Sequence, residues 1–224
     1  MAAVIDICNL ALAHLGDTAT VASIDPPDGS AQASHCARFY PIARDALLEM
    51  HTWGFATKRV ALAYAPTNPS STWLYAYMSP SAVVNYVSVL APDAQDDYST
   101  GVYMAGVGPY SAPLVGVGIY TPQSYVVETD DSGNDIVLTN QKDAVLRYTT
   151  VVDDPTKFSP LFTLVLSHHL AAMLAGPLLK GEVGRQVAAE QLRMAGVLQA
   201  QAEGSDANQR RVHPTQGATW MVNR

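Results

Sequence analysis

From residue 4 to 15 apolar side chains recur at helical spacing, with Val4, Ile7, Cys8, Ala11 and Leu15 on one face. Gly16 follows, a residue that accepts the left-handed position closing many helices. Asp25-Pro26-Pro27-Asp28 then breaks any regular period, so 17–28 reads as a loop. The helical period resumes from about Ser30 to His51, where Ala33, Cys36, Ala37, Tyr40, Ala43, Leu47 and Met50 share a face and Pro41 predicts a kink. After Thr57 the period falls to two: Val60, Leu62 and Tyr64 alternate with Arg59, Ala61 and Ala63. Further strands are predicted at 73–77, 83–90, 114–120, 124–128, 136–139 and 144–152, and 130–135 reads as a hairpin turn between two of them. Short strands with regular turns predict an antiparallel sandwich or open barrel.

Helical signal returns at Ser159-Pro160, a cap followed by proline at the first helical position. The helix predicted there runs to about Leu174 and is apolar nearly all round, which makes it the central buried one; Gly176-Pro177 breaks or kinks it. A last helix is predicted over 182–203, with Val183, Val187, Met194, Val197 and Leu198 inward and Gly204 ending it. The chain therefore reads as an α+β protein. Residues 1–56 and 157–204 form a helical bundle built from N- and C-terminal helix pairs, 57–156 an inserted antiparallel β domain projecting from one end, and 205–224 an extended C-terminal tail.

Composition adjusts this picture. Of 224 residues only 15% are charged, below the usual quarter, which fits either a surface partly covered by copies or partners or a monomer coated with Ser, Thr, Gln and Asn. The net charge of −7 and the absence of a basic run argue against stable nucleic-acid binding. The same balance suits a channel that DNA crosses without sticking. Cys8 and Cys36 fall on different predicted helices and are expected as free buried thiols that face each other across a hairpin or lie apart. Asp6 and Asn9 interrupt any signal-peptide core, and His168-His169 with Gly176-Pro177 make 161–179 a buried helix rather than a membrane span.

Catalytic and metal-binding patterns are weak. No phosphate-cradling loop, Gly-x-Ser-x-Gly elbow or His-Glu-x-x-His is present. His168 and His169 point about 100° apart on a helix and cannot easily share a metal, so one is expected in the core and one outside. Neither does His35-Cys36 form a proton-sharing pair. Asp130, Asp131 and Asp135 fit an Asx-stabilised turn better than a calcium loop. Asp93, Asp96, Asp97 and Glu128 are the acidic residues on which a glycosidase would draw. No catalytic, cofactor-binding or metal-binding residue is assigned.

Two sets suggest interaction instead. Arg210, Arg211, His213, Trp220 and Arg224 combine cations with one aromatic anchor on the tail, a pattern suited to docking on a partner. Trp53, Phe55, Trp73, Tyr75 and Tyr77 are expected to fill the helix-to-sheet junction. Residues 98–127 lack charge and are rich in glycine, which fits a long loop or a contact arm.

Ile7-Cys8-Asn9-Leu10-Ala11-Leu12 running into Leu15-Gly16 is followed by Tyr40-Pro41-Ile42-Ala43-Arg44-Asp45-Ala46-Leu47-Leu48 and Trp53-Gly54-Phe55-Ala56-Thr57-Lys58-Arg59. This order and spacing resembles the start of the tail tubular protein A family, the head-to-tail adaptors of short-tailed phages. The likeness covers the helical ends and 53–80 and fades over 99–123. It implies a structural virion protein, assembled in the host cytoplasm, that forms a ring of about twelve copies between the portal protein and the tail nozzle protein. It further implies a bore through which DNA is ejected without stable binding, a C-terminal region that reaches the portal, and no enzymatic activity, cofactor or membrane. Loss of infectivity on removing the tail from Ser205 is the corresponding expectation. A neck connector of a long-tailed phage is the alternative within the class; a cell-wall hydrolase or glycan-binding tail component is the alternative outside it.

Overall fold

A computed structural model describes residues 3–18, 20–92 and 123–209. It is a mixed α+β fold with four helices and two small antiparallel sheets. The chain divides into two compact units, one of Met1–Ala56 with Thr150–Arg210, the other within Thr57–Thr149.

In the helical unit, α1 (Val4–His14) and α2 (Ala31–Met50) come from the N-terminal part of the chain, α3 (Pro160–Leu179) and α4 (Gly181–Ala207) from the C-terminal part. The first helix starts where Asp6 reaches back to accept from the Ala3 N–H at 2.8 Å. It ends one residue before Leu15, and Gly16 takes the predicted left-handed conformation at φ +75°. Its buried face is Ile7, Cys8, Ala11 and Leu12; Leu15 lies past the last turn and is only half-buried. The loop that follows is tied down by Asn9, whose amide accepts from the Val21 N–H and donates to the Val21 carbonyl. Asp28 accepts from the Ser30 hydroxyl and the Ala22 and Ser30 N–H groups, and these bonds hold its carboxyl down at about 2. Ser30 in turn caps α2 by accepting from the Ala33 N–H.

The second helix runs through Pro41 without a break and buries Ala33, Cys36, Tyr40, Ala43, Leu47 and Leu48. Met50, expected inward, is exposed because the last helical turn rotates it away and Leu48 takes the inner position. Helix α3 packs against all three others and buries Phe162, Val165, Leu166, Leu170, Ala171 and Leu174. It has the length and apolarity of a membrane span, and here it is the core helix. Gly176-Pro177 does not stop it at Leu174: a proline near the end of a helix removes one N–H bond, and the turn continues to Leu179. The stop comes from Lys180, at φ +54°.

Helix α4 departs most from expectation. Its buried positions are Gly184, Ala195, Ala202 and Asp206, while Val183, Leu192 and Val197 are exposed. The reason is close approach: a Cβ on Gly184 would lie 2.9 Å from the Ala175 carbonyl oxygen, so the α3–α4 contact admits only small residues there. Gly204 does not end the helix, which continues to Ala207, so 205–207 belong to the helix rather than the tail. The helical unit also gains 150–156, where Asp153 accepts from Arg44 of α2 at 2.5 Å.

The β unit has two three-stranded sheets, ordered β1-β6-β3 and β2-β5-β4, where β1 is Thr57–Ala61, β2 Tyr75–Met78, β3 Val83–Leu90, β4 Tyr125–Thr129, β5 Asp135–Thr139 and β6 Val145–Thr150. Leu146 and Tyr148 from the first sheet and Tyr77 and Val137 from the second share one core, which makes the unit a small sandwich. The β4–β5 hairpin closes at the predicted turn, where Asp130 Oδ1 accepts from the Ser132 and Asn134 N–H groups. The strand expected at 114–120 lies outside the described residues.

Candidate functional site

The most constrained feature of the helical unit is the turn that leaves α2. Trp53 is 1% exposed; its indole N–H donates to the Leu47 carbonyl at 2.9 Å, and its ring stands edge-on to Phe162 at 5.0 Å. Phe55 joins Phe158 and Phe162 in the same aromatic group. A one-turn 3-10 helix over Gly54–Ala56 carries Phe55 beside Trp53, their ring centroids 6.0 Å apart, and delivers the chain into β1.

That turn is closed from the other end of the sequence. Asp206, 6% exposed near the end of α4, accepts from the Gly54 N–H with both oxygens, at 3.0 and 3.2 Å, and its Oδ2 lies 3.3 Å from His51 Nε2. A Cβ on residue 54 would sit 3.0 Å from Asp206 Oδ1, so glycine there leaves room for the carboxylate. The last turn of α4 is thereby fixed to the end of α2, and the chain that follows Gln209 departs from a defined point. Sequence reasoning missed Asp206, because ending the helix at Gly204 consigned it to the tail. An aspartate two residues beyond an apparent helix stop, in a chain this poor in charge, was the available signal.

A second polar cluster links α1, α3 and α4. The rings of His14 and His168 stack at 3.9 Å with 12° between planes. His14 Nε2 bonds the Ser167 hydroxyl at 3.1 Å, and Gln191 bonds His168 Nδ1 at 2.7 Å. Burial, then the nearby His168, pushes the His14 pKa down; burial alone does so for His169. Both histidines of the 168–169 pair are half-buried, rather than one inside and one out. Face-to-face stacking does not aim two nitrogens at one ion, and no group of three or more metal-ligating side chains occurs among the described residues.

Cys8 and Cys36 are free, fully buried and in hydrogen-bond contact across α1 and α2. The bond that Cys8 donates to Cys36, followed by burial, drives the Cys8 thiol up, while accepting that bond lowers Cys36. A raised, buried thiol is a poor nucleophile.

The five aromatics expected at one junction separate into two groups. Trp53 and Phe55 belong to the helical unit. Tyr75 and Tyr77 belong to the β unit, beside Tyr64, and Trp73 packs there on the opposite sheet face with Ala76, Ile136 and Leu138. The physical reason is that strand alternation sends Tyr75 and Tyr77 to one side of β2 and Ala76 to the other. Arg210, Arg211, His213, Trp220 and Arg224 lie outside the described residues, as do Asp93, Asp96 and Asp97; Glu128 is exposed on β4. Of the uncharged segment, 123–127 is described and supplies the start of β4.

Compared with models of known protein families the chain matches none, and it matches no curated protein.

Proposed function

We propose that this is a structural protein of the head-to-tail adaptor kind: a subunit of a ring between portal and tail nozzle of a short-tailed phage, with DNA passing through the bore. The supporting observation is that the residues carrying the family resemblance act together as one structural device. Ile7, Cys8, Leu12, Leu47, Leu48 and Trp53 are buried core positions of the helical unit, and Gly54 is the residue that Asp206 caps. The motif therefore serves to build a rigid helical body and to anchor the exit of the C-terminal segment, work that suits assembly rather than turnover. The low charge content and the large apolar side chains left exposed on α2 and α4 add to this reading.

The test is the native mass of the protein alone and mixed with its portal, by light scattering behind a sizing column. A monomer that saturates the portal at one copy per portal subunit is the expected result; a monomer that ignores the portal refutes the proposal. The role of the tail is tested by truncation after Gln209. Cutting at Ser205, as the sequence suggested, removes Asp206 and confounds docking with damage to the fold. Phage assembled at normal titre with residues 210–224 removed would refute docking through the tail.

A further inference from the structure

Two helix faces of the helical unit leave large apolar side chains in solvent. On α4, Leu192 and Val197 are 53% and 49% exposed, and helical spacing places the small residues Gly196 and Ala200, with Arg193, on the face between them. On α2, Ile42 is 53% exposed and lies between Arg38 and Asp45, whose half-exposed carboxylate also accepts from Arg44 Nε at 2.8 Å. No close packing among the described residues requires the glycine: a Cβ at 196 would meet none of them within 4 Å, in contrast to Gly184. A mid-helix glycine weakens the helix relative to alanine, so its presence on an exposed face is unexplained by the isolated subunit.

We propose that the α4 face of one copy receives the α2 face of a second copy, antiparallel, as a head-to-tail contact. Antiparallel alignment with Ile42 over Gly196 brings Asp45 beside Arg193 and Arg38 over Ala200, within reach of Glu203. Arg38 and Asp45 are separated by roughly 10 Å along α2 and Arg193 and Glu203 by roughly 15 Å along α4, a difference the long Arg38 side chain spans. Opposite charges thus meet at both ends of an apolar centre; parallel alignment of the same faces would set Arg38 against Arg193. Leu192 and Val197 then form ridges on either side of the Ile42 knob, the large-into-small fit that lets helices approach closely.

The two faces are different surfaces of the same unit, so the contact is heterologous and propagates into a ring or a chain rather than stopping at a dimer. It rests on the ring reading for its biological meaning and names the surfaces that would build that ring.

The experiment uses two full-length variants, Ile42→Cys and Gly196→Cys, mixed, with portal present and, in parallel, without it, and oxidised with copper phenanthroline. Covalent dimer in the mixture and none in either variant alone is expected, since a disulfide demands Cβ atoms about 4 Å apart. Dimer from Ile42→Cys alone, or no dimer in the mixture in either arm, overturns the proposal. Gly196→Leu provides a second readout: with open space at 196 and better helix propensity it folds with undiminished thermal stability, but it fills the face between Leu192 and Val197 and should lose neighbour contacts on the portal. If Gly196→Leu loads the portal as densely as wild type, the contact is refuted while the adaptor reading stands. If mixed dimers form but the wild-type protein ignores the portal, the contact stands and the adaptor reading falls.

Discussion

Asp206→Ala is the substitution from which the most can be learned. The carboxylate accepts from the Gly54 N–H in a buried turn, and truncation leaves that N–H without its partner and opens space beside it. A hydrogen bond to a charged acceptor, lost with the donor still buried, costs about 2–3 kcal/mol. His51 is more exposed, so its contact adds about 0–1 kcal/mol. For a chain of 224 residues each kcal/mol lowers Tm by about 2–4 °C. The protein should therefore lose about 4–16 °C, read by scanning calorimetry. Asp206→Asn, which keeps an acceptor oxygen, should lose about half as much. A double-mutant cycle with His51→Ala separates the two contributions and should return a coupling below about 1 kcal/mol. If Asp206→Ala unfolds within about 1 °C of wild type, the turn does not depend on this carboxylate, and the anchored exit of the C-terminal segment is wrong.

Gly184→Ala should lower stability by about 1–3 kcal/mol in urea unfolding, because its methyl meets the Ala175 carbonyl oxygen at 2.9 Å; the usual helix-propensity gain would dominate only if α3 and α4 were free to part. Tyr40→Phe removes a buried hydroxyl that has no hydrogen-bond partner among the described residues, so it should be neutral or stabilising by up to about 1 kcal/mol; a loss above that would mean the hydroxyl is satisfied. The folded protein should weaken in mild acid. His14 and His169 have pKa values lowered from 6.5, so the unfolded chain binds more protons than the folded one as pH falls below that value. Their contribution is fully present above pH 6.5 and is lost as pH falls through the folded-state values. His14→Gln should flatten this dependence of Tm on pH, and an unchanged profile would show that the stacked pair does not titrate on folding.

Much of the architecture was legible because local rules act over a few residues. Ser159 announces its helix as a cap, Gly16 its left-handed turn, and Asp130 its hairpin, since each satisfies backbone groups within four positions of itself. The largely apolar run after Pro80 likewise located β3 at residues 83–90. The division into a helical unit from both chain ends and a β unit between them follows from where the period changes.

What periodicity could not reveal is which face of α4 turns inward. Of the residues expected inward, Val187, Met194 and Leu198 are half-buried but Val183 and Val197 are exposed, because the close approach of α3 and α4 at Gly184 and Ala175 gives the innermost positions to small residues. Asp206 and Gln191 were invisible for a related reason: each completes a contact with residues more than a hundred positions away, at Gly54 and His14, and sequence spacing carries no record of that proximity. Local hydrogen bonding and hydrophobic period are written into neighbouring residues, whereas interhelical distance and long-range polar pairing exist only once the core has closed.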